Sequence, residues 1–117
     1  MSIITLILAT LVALEHFYTM YLETFATQSK ATGRVFNMSQ EERSRDSVNK
    51  LFKNQGIYNG LIAMFLLFGV FTGNQTLVVV FLLNVVLAAA YGALTADKKI
   101  ILTQGGLAIL VLVTLLF

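Results

Sequence analysis

The sequence predicts an all-α fold, a bundle of four transmembrane helices with a short cytoplasmic helix leading into the second span. Three observations carry this expectation. Apolar residues make up 57% of the 117-residue chain and charged residues only 12%, about half the charge density of an ordinary soluble domain. The apolar residues gather into four runs, each near the roughly 20 residues that a helix needs to cross about 30 Å of hydrocarbon. All eight basic residues fall in or beside two of the connections between runs. A chain of this length forms a single domain, residues 1–117, with no room for a second.

The expected spans are residues 3–25, 51–71, 77–96 and 100–117, with a cytoplasmic loop over 26–50. The last is the shortest and is expected to sit among tilted neighbours or in locally thinner bilayer. Proline is absent, so any kink or break must rely on glycine. No cleavable signal is expected, because Met1-Ser2-Ile3-Ile4 offers no basic region ahead of the first apolar run. In the loop, Ser39-Gln40-Glu41-Glu42 fits a capping box. Glu41 with Arg45, and Asp46 with Lys50, are helix-supporting pairs four apart. A helix is therefore expected from about Gln40, running into the second span. Residues 33–38 read either as an interfacial segment, with Phe36 and Met38 dipping toward lipid, or as a solvated loop.

Charge sets the orientation. Lys30, Arg34, Arg43, Arg45, Lys50 and Lys53 belong to the first connection, and Lys98 and Lys99 to the third. The turn over 72–76 and both chain ends carry no charged side chain. The positive-inside rule puts the two basic connections in the cytoplasm and both termini outside it. The net charge of +2 is explained by this topology rather than by nucleic acid as a partner. The absence of cysteine excludes disulfides, thiolate catalysis and iron–sulfur clusters.

Polar groups inside hydrocarbon need partners, so their positions are informative. In the first span, Glu15, His16, Thr19 and Glu23 fall within an arc of about 100° at helical spacing. The second opens with Asn54, Gln55, Tyr58 and Asn59 in about 140° of arc, with Gly56 and Gly60 read as the opposite, close-packing face. Tyr91 and Asn84 lie on the third span, and Thr103 and Gln104 near the start of the fourth. With alternating span directions, Glu15, His16, Tyr58, Asn59, Tyr91 and Gln104 come to the cytoplasmic half or near the midplane. That coincidence of depth points to a polar pocket inside the bundle, open to the cytoplasm, with Glu15, His16, Asn54, Gln55, Tyr58, Asn59, Tyr91 and Gln104 as candidate ligand-binding or proton-linked residues. The plainer reading is interhelical hydrogen bonding, at about 0.6 kcal/mol per contact, and it is favoured for Asn84, Tyr91 and Gln104. A carboxylate as deep as Glu15 is costly unless protonated, paired or wetted. Glu23, near the interface, is expected simply to reach water, so Glu15→Gln is expected to matter far more than Glu23→Gln. One histidine and no cysteine make a thin ligand set, so no metal site is expected. No Walker loop, nucleophile elbow or dinucleotide fingerprint is present, and no cofactor is expected.

The segments Glu15-His16-Phe17-Tyr18-Thr19-Met20-Tyr21-Leu22-Glu23-Thr24-Phe25 and Asn54-Gln55-Gly56-Ile57-Tyr58-Asn59-Gly60, with Tyr91-Gly92 and Gln104-Gly105, make the chain resemble a bacterial family of small four-span membrane proteins, the domain of unknown function DUF1304. Some relatives carry a proline soon after the glutamine–glycine of the fourth span, where this chain has Gly106-Leu107. That resemblance implies a fold and no activity. A weaker similarity, to the glutathione-using membrane enzymes of eicosanoid metabolism, rests on Arg45 and Asn49 four apart before the second span. Glu42 and Phe52 depart from that motif, and the similarity remains a fold-level analogy.

Three function classes follow: a membrane protein that binds or transports a small polar or protonatable solute, a membrane-embedded enzyme acting on a lipophilic substrate, and a structural or accessory subunit. The first needs a homo-oligomer, because one bundle of this size is small for alternating access. Gly56/Gly60 and Ala88/Gly92 are the expected close-packing pairs, within or between subunits. The topology has a direct test: reporters fused after Ser2 and at Phe117 should both read as extracytoplasmic, and a cytoplasmic signal at either end contradicts the assignment.

Overall fold

A computed structural model describes residues 1–117. The chain is all-helical, in the order α1 (Ile3–Met20), a π-helical turn (Tyr21–Phe25), α2 (Lys30–Phe36), α3 (Gln40–Ser44), α4 (Asp46–Phe71), α5 (Gln75–Thr95), α6 (Ile100–Thr103) and α7 (Gly106–Thr114). Three stretches are long and apolar enough to cross a membrane: Ile3–Phe25, Asp46–Phe71 and Gln75–Thr95. The helices pack as two compact units, one of Leu14–Ala63 and one of Met1–Ala13 with Met64–Phe117. Both α1 and α4 contribute to each.

Within Leu14–Ala63, the expected helix from Gln40 forms, and both halves of its capping box are made. The Ser39 hydroxyl accepts from the Glu42 N–H at 3.1 Å, and Glu42 Oε1 accepts from the Ser39 N–H at 3.0 Å. The Ser39 backbone N–H and then its hydroxyl hold the Glu42 carboxyl below the usual carboxylate range. This helix does not run into the second span. Arg45 is extended, with ψ 132, and Asn49 Nδ2 closes the break by donating to the carbonyls of Arg43 (2.6 Å) and Arg45 (2.8 Å). The long helix α4 then starts at Asp46, five residues before the expected boundary, supported by the Asp46–Lys50 pair at 3.0 Å. Residues 33–36, expected as interfacial segment or loop, belong to α2, which ends at Asn37 in the left-handed conformation, φ 54.

The face that α4 turns to the end of the first apolar stretch is made of small residues. Gly56, Gly60 and Ala63 are all buried. A Cβ on Gly56 would collide with Thr24 Oγ1 and come within 3.1 Å of Glu23 Cβ, and one on Gly60 would collide with Met20 Sδ. Backbones at this distance leave room for hydrogen only.

In the other unit, α5 packs on α6 and α7, around a core of Ala9, Val12, Leu66, Val78, Leu82, Val85, Ala89, Ala108 and Val111. Within this unit Ala88 is exposed, and it is the neighbouring Ala89 that is buried. A Cβ on Gly105 would come within 3.0 Å of Ala89 Cβ, and one on Gly92 within 3.1 Å of Ile100. Asn74 caps α5 through Oδ1 to the Leu77 N–H at 3.1 Å, which moves its start two residues ahead of the expected 77. The preceding turn requires Gly73 at φ 64. The last apolar run, expected as one span, is two short helices separated by Gln104 and Gly105. With no proline in the chain, the interruption includes Gly105, next to Gly106 at the start of α7, where helix propensity is lowest.

Gly56→Ala should destabilise by about 1–3 kcal/mol, because Thr24 Oγ1 is short and fixed by its own bond to the Lys53 carbonyl at 3.0 Å. Gly60→Ala should cost less, since the Met20 thioether can move aside. Unfolding in a denaturing detergent, followed by circular dichroism, gives the order, and equal losses contradict it.

Candidate functional site

The site begins with the π-helical turn. At Tyr21–Phe25 the backbone closes one residue late, the Ala26 N–H donating to the Tyr21 carbonyl at 2.9 Å. Such turns rotate everything that follows relative to the preceding α-helix, and they are frequent at functional positions. Glu15 precedes this turn and Glu23 lies within it. Glu15 is exposed on α1, and its carbonyl accepts the Thr19 hydroxyl at 3.0 Å. Glu23 is turned inward and is 0% exposed.

One half-buried side chain partners the Glu23 carboxyl. Asn59 Nδ2 donates to Glu23 Oε1 at 2.6 Å, whereas Glu23 Oε2 is buried without a hydrogen-bond partner. A carboxylate has about four acceptor positions and a carboxylic acid one donor, so this group is under-satisfied in either protonation state. Its backbone is better served: the Thr27 hydroxyl donates to the Glu23 carbonyl at 2.7 Å. The fully buried Thr32 hydroxyl reaches the carbonyls of Leu22 (3.1 Å) and Ala26 (2.7 Å). These threonines stand in for the helical bonds that the end of the first stretch lacks. Gly56 lies against Glu23 Cβ, so the carboxyl can be buried only because α4 has no side chain there.

Of the candidate residues read from the sequence, Asn59 is the one brought to the Glu23 carboxyl. Asn54, Gln55 and Tyr58 are exposed on α4, and His16 is half-buried on α1. In the second unit, Tyr91 is exposed on α5, and Gln104 is exposed at the break between α6 and α7. The expectation that Glu23 reaches water from the interface is corrected by its burial under Gly56 and Asn59. A signal for it exists in the spacing: Gly56, Asn59 and Gly60 span about 100° at helical periodicity, so the asparagine shares the glycine face rather than opposing it. The pair behind the glutathione-enzyme analogy is otherwise engaged, with Arg45 3.8 Å from Glu41 and the Asn49 amide committed to carbonyls. No group of three His, Cys, Asp or Glu side chains is placed to hold a metal.

Comparison with known families matches residues 10–116 to the model described as Protein of unknown function (DUF1304). The chain belongs to the DUF1304 family. Among curated proteins this DUF1304 chain is 60% identical, over 119 residues and the full length of both, to the uncharacterized protein YpaA of Lactococcus lactis subsp. lactis (strain IL1403). No solved structure matches it. The matched DUF1304 segment includes both Glu23 and Asn59.

Asn59→Leu should destabilise this DUF1304 protein by about 1–3 kcal/mol, since it leaves a buried carboxyl with no donor. Adding Glu23→Leu should restore part of the loss, because removing both polar groups is milder than orphaning one. Unfolding midpoints of the two single variants and the double variant provide the comparison, and strictly additive losses contradict the pairing.

Proposed function

We propose that this chain is an integral membrane protein of the inner membrane that binds a proton or a small cation at Glu23 and Asn59, and does so as a homo-oligomer. In this reading the chain crosses the bilayer four times, through Ile3–Phe25, α4, α5 and the two-part run of α6 and α7, with both termini outside the cytoplasm. The three long apolar stretches support membrane residence. The distribution of all eight basic residues supports the orientation. Glu23 then lies two residues from the cytoplasmic end of the first span, within reach of the cytoplasmic proton pool.

The observation that carries the reading is the unpartnered Oε2 of a fully buried carboxyl. Ionisable groups at such positions are expensive, and their usual use is in ion or proton pathways. A small occupant fits best, because Glu23 is fully buried and Gly56 lies against its Cβ. That argues for a proton or bare cation over an organic solute, and narrows the solute class expected from sequence. The polar pocket gathering Glu15, His16, Tyr91 and Gln104 is not needed by this reading. A second reading, a structural strut, is favoured by the Asn59–Glu23 bond itself.

Substitution separates the two. Glu23→Gln keeps the shape and an oxygen for Asn59 but removes the ionisable group. In proteoliposomes loaded with a pH-sensitive dye, it should cut ion or proton flux by at least about tenfold, with unfolding little changed. Glu15→Gln should leave flux within about twofold. Unchanged flux in Glu23→Gln makes the pair a strut.

A further inference from the structure

A groove of about 440 Å³ opens where the first apolar stretch ends, lined by Thr24, Phe25, Thr27, Gln28, Asn49 and Lys53 among others. From this groove we infer that the protein holds the phosphate headgroup of an anionic glycerophospholipid, with Lys53 as the cation that recognises it. The inference rests on the membrane reading above and is independent of what occupies Glu23.

Four features point to that ligand. The lining contains one cation and no acidic side chain, so the groove favours an anion. Lys53 takes no part in the ion pairs of the segment, which use Arg45 with Glu41 and Lys50 with Asp46. The carbonyls at this helix end, which would repel a phosphate, are largely occupied: Leu22, Glu23 and Ala26 accept from the Thr32 and Thr27 hydroxyls and the Ser29 N–H. Phe25, on the lining beside these polar groups, is 71% exposed, an apolar surface against which an acyl chain can lie. With Ile3–Phe25 in a bilayer, the groove comes to the level of the headgroups. Its amides, Gln28 Nε2 to Asn49 Oδ1 at 3.3 Å, and the Thr24 bond to the Lys53 carbonyl tie its two walls together. The cation is thus presented from a built wall rather than from a loose tail, and juxtamembrane lysines of this kind attract anionic lipid.

The test uses the full-length protein in neutral detergent, with phosphatidylglycerol, phosphatidylcholine of the same chains, or inorganic phosphate added, and native mass spectrometry to read retention. Phosphatidylglycerol should be retained at least about tenfold more tightly than phosphatidylcholine. Lys53→Gln should lower phosphatidylglycerol retention about fivefold, and Lys53→Arg should keep it. Lys50→Gln, whose lysine is paired with Asp46 and lies outside the lining, should change retention less than about twofold. Should Lys53→Gln fail to fold, Gln28→Ala, an exposed side chain of the same lining, takes its place and should lower retention likewise. Equal retention of the two lipids, equal losses in Lys50→Gln and the groove variant, or displacement of lipid by an equal concentration of inorganic phosphate each overturns the inference. Resistance of the expressed protein to carbonate extraction reports membrane residence separately, so a failed lipid preference and a failed membrane reading give different results.

Discussion

Where α4 meets the end of the first apolar stretch, two glycines let the backbones approach until only hydrogen fits between them, and the rest of the Leu14–Ala63 unit follows from that approach. Gly56 lies against Glu23 and Thr24, Gly60 against Met20, and Asn59 between them reaches the Glu23 carboxyl at 2.6 Å. A larger residue at Gly56 would push α4 outward and return the carboxyl to its surroundings. The contact therefore decides both the packing and the chemistry. Close packing through small residues is the main attraction available to helices in lipid, where burial of apolar surface supplies little.

A buried carboxyl and an abruptly ended helix both leave polar groups that must be satisfied locally. The chain answers with hydroxyls. Thr24, Thr27 and Thr32 each donate to a main-chain carbonyl, and Ser29 and Ser39 cap the short helices that follow. The π-helical turn belongs to the same arrangement: Glu23, within it, is buried, and Glu15, ahead of it, is exposed. In these terms the one atom left without a partner, Glu23 Oε2, stands out against a neighbourhood in which nearly every other buried polar group is served. An unserved buried oxygen in a native fold calls for an explanation, and that is the reason for seeking function there.

The other unit shows the same preference for small residues, with Ala89 against Gly105 and Gly92 against Ile100. Its polar contacts are fewer. The Ser2, Thr5 and Thr114 hydroxyls form a chain, Ser2 to Thr5 at 2.9 Å and Thr5 to Thr114 at 2.8 Å, joining the two ends of the sequence within one core. Such a chain holds its members by hydrogen bonds alone and contains no ionisable group, in contrast to the carboxyl of the first unit.

Helical class, the long apolar stretches, the capping box at Ser39 and membership of DUF1304 were legible in the residues, because apolar run length, local capping chemistry and motif spacing act over a few turns of chain. Boundaries moved by a few residues where a side chain chose the cap, as Asn74 and Asn49 did. Gly105 and Gly106 were visible as a weak point, but helix propensity cannot say whether packing will bridge it, and here the run broke. For the choice between Glu15 and Glu23 the sequence held only half of the answer: spacing puts Asn59 on the glycine face of its own helix, but does not say which carboxyl that face meets. Depth along an ideal helix favoured Glu15, yet Glu23 lies within a π-turn, and nothing in residue spacing announces that turn. Which carboxyl is buried was settled by Gly56, Asn59 and Gly60 arriving from more than thirty residues away. Periodicity determines which face a residue shares with its own helix, and only tertiary packing decides what that face meets.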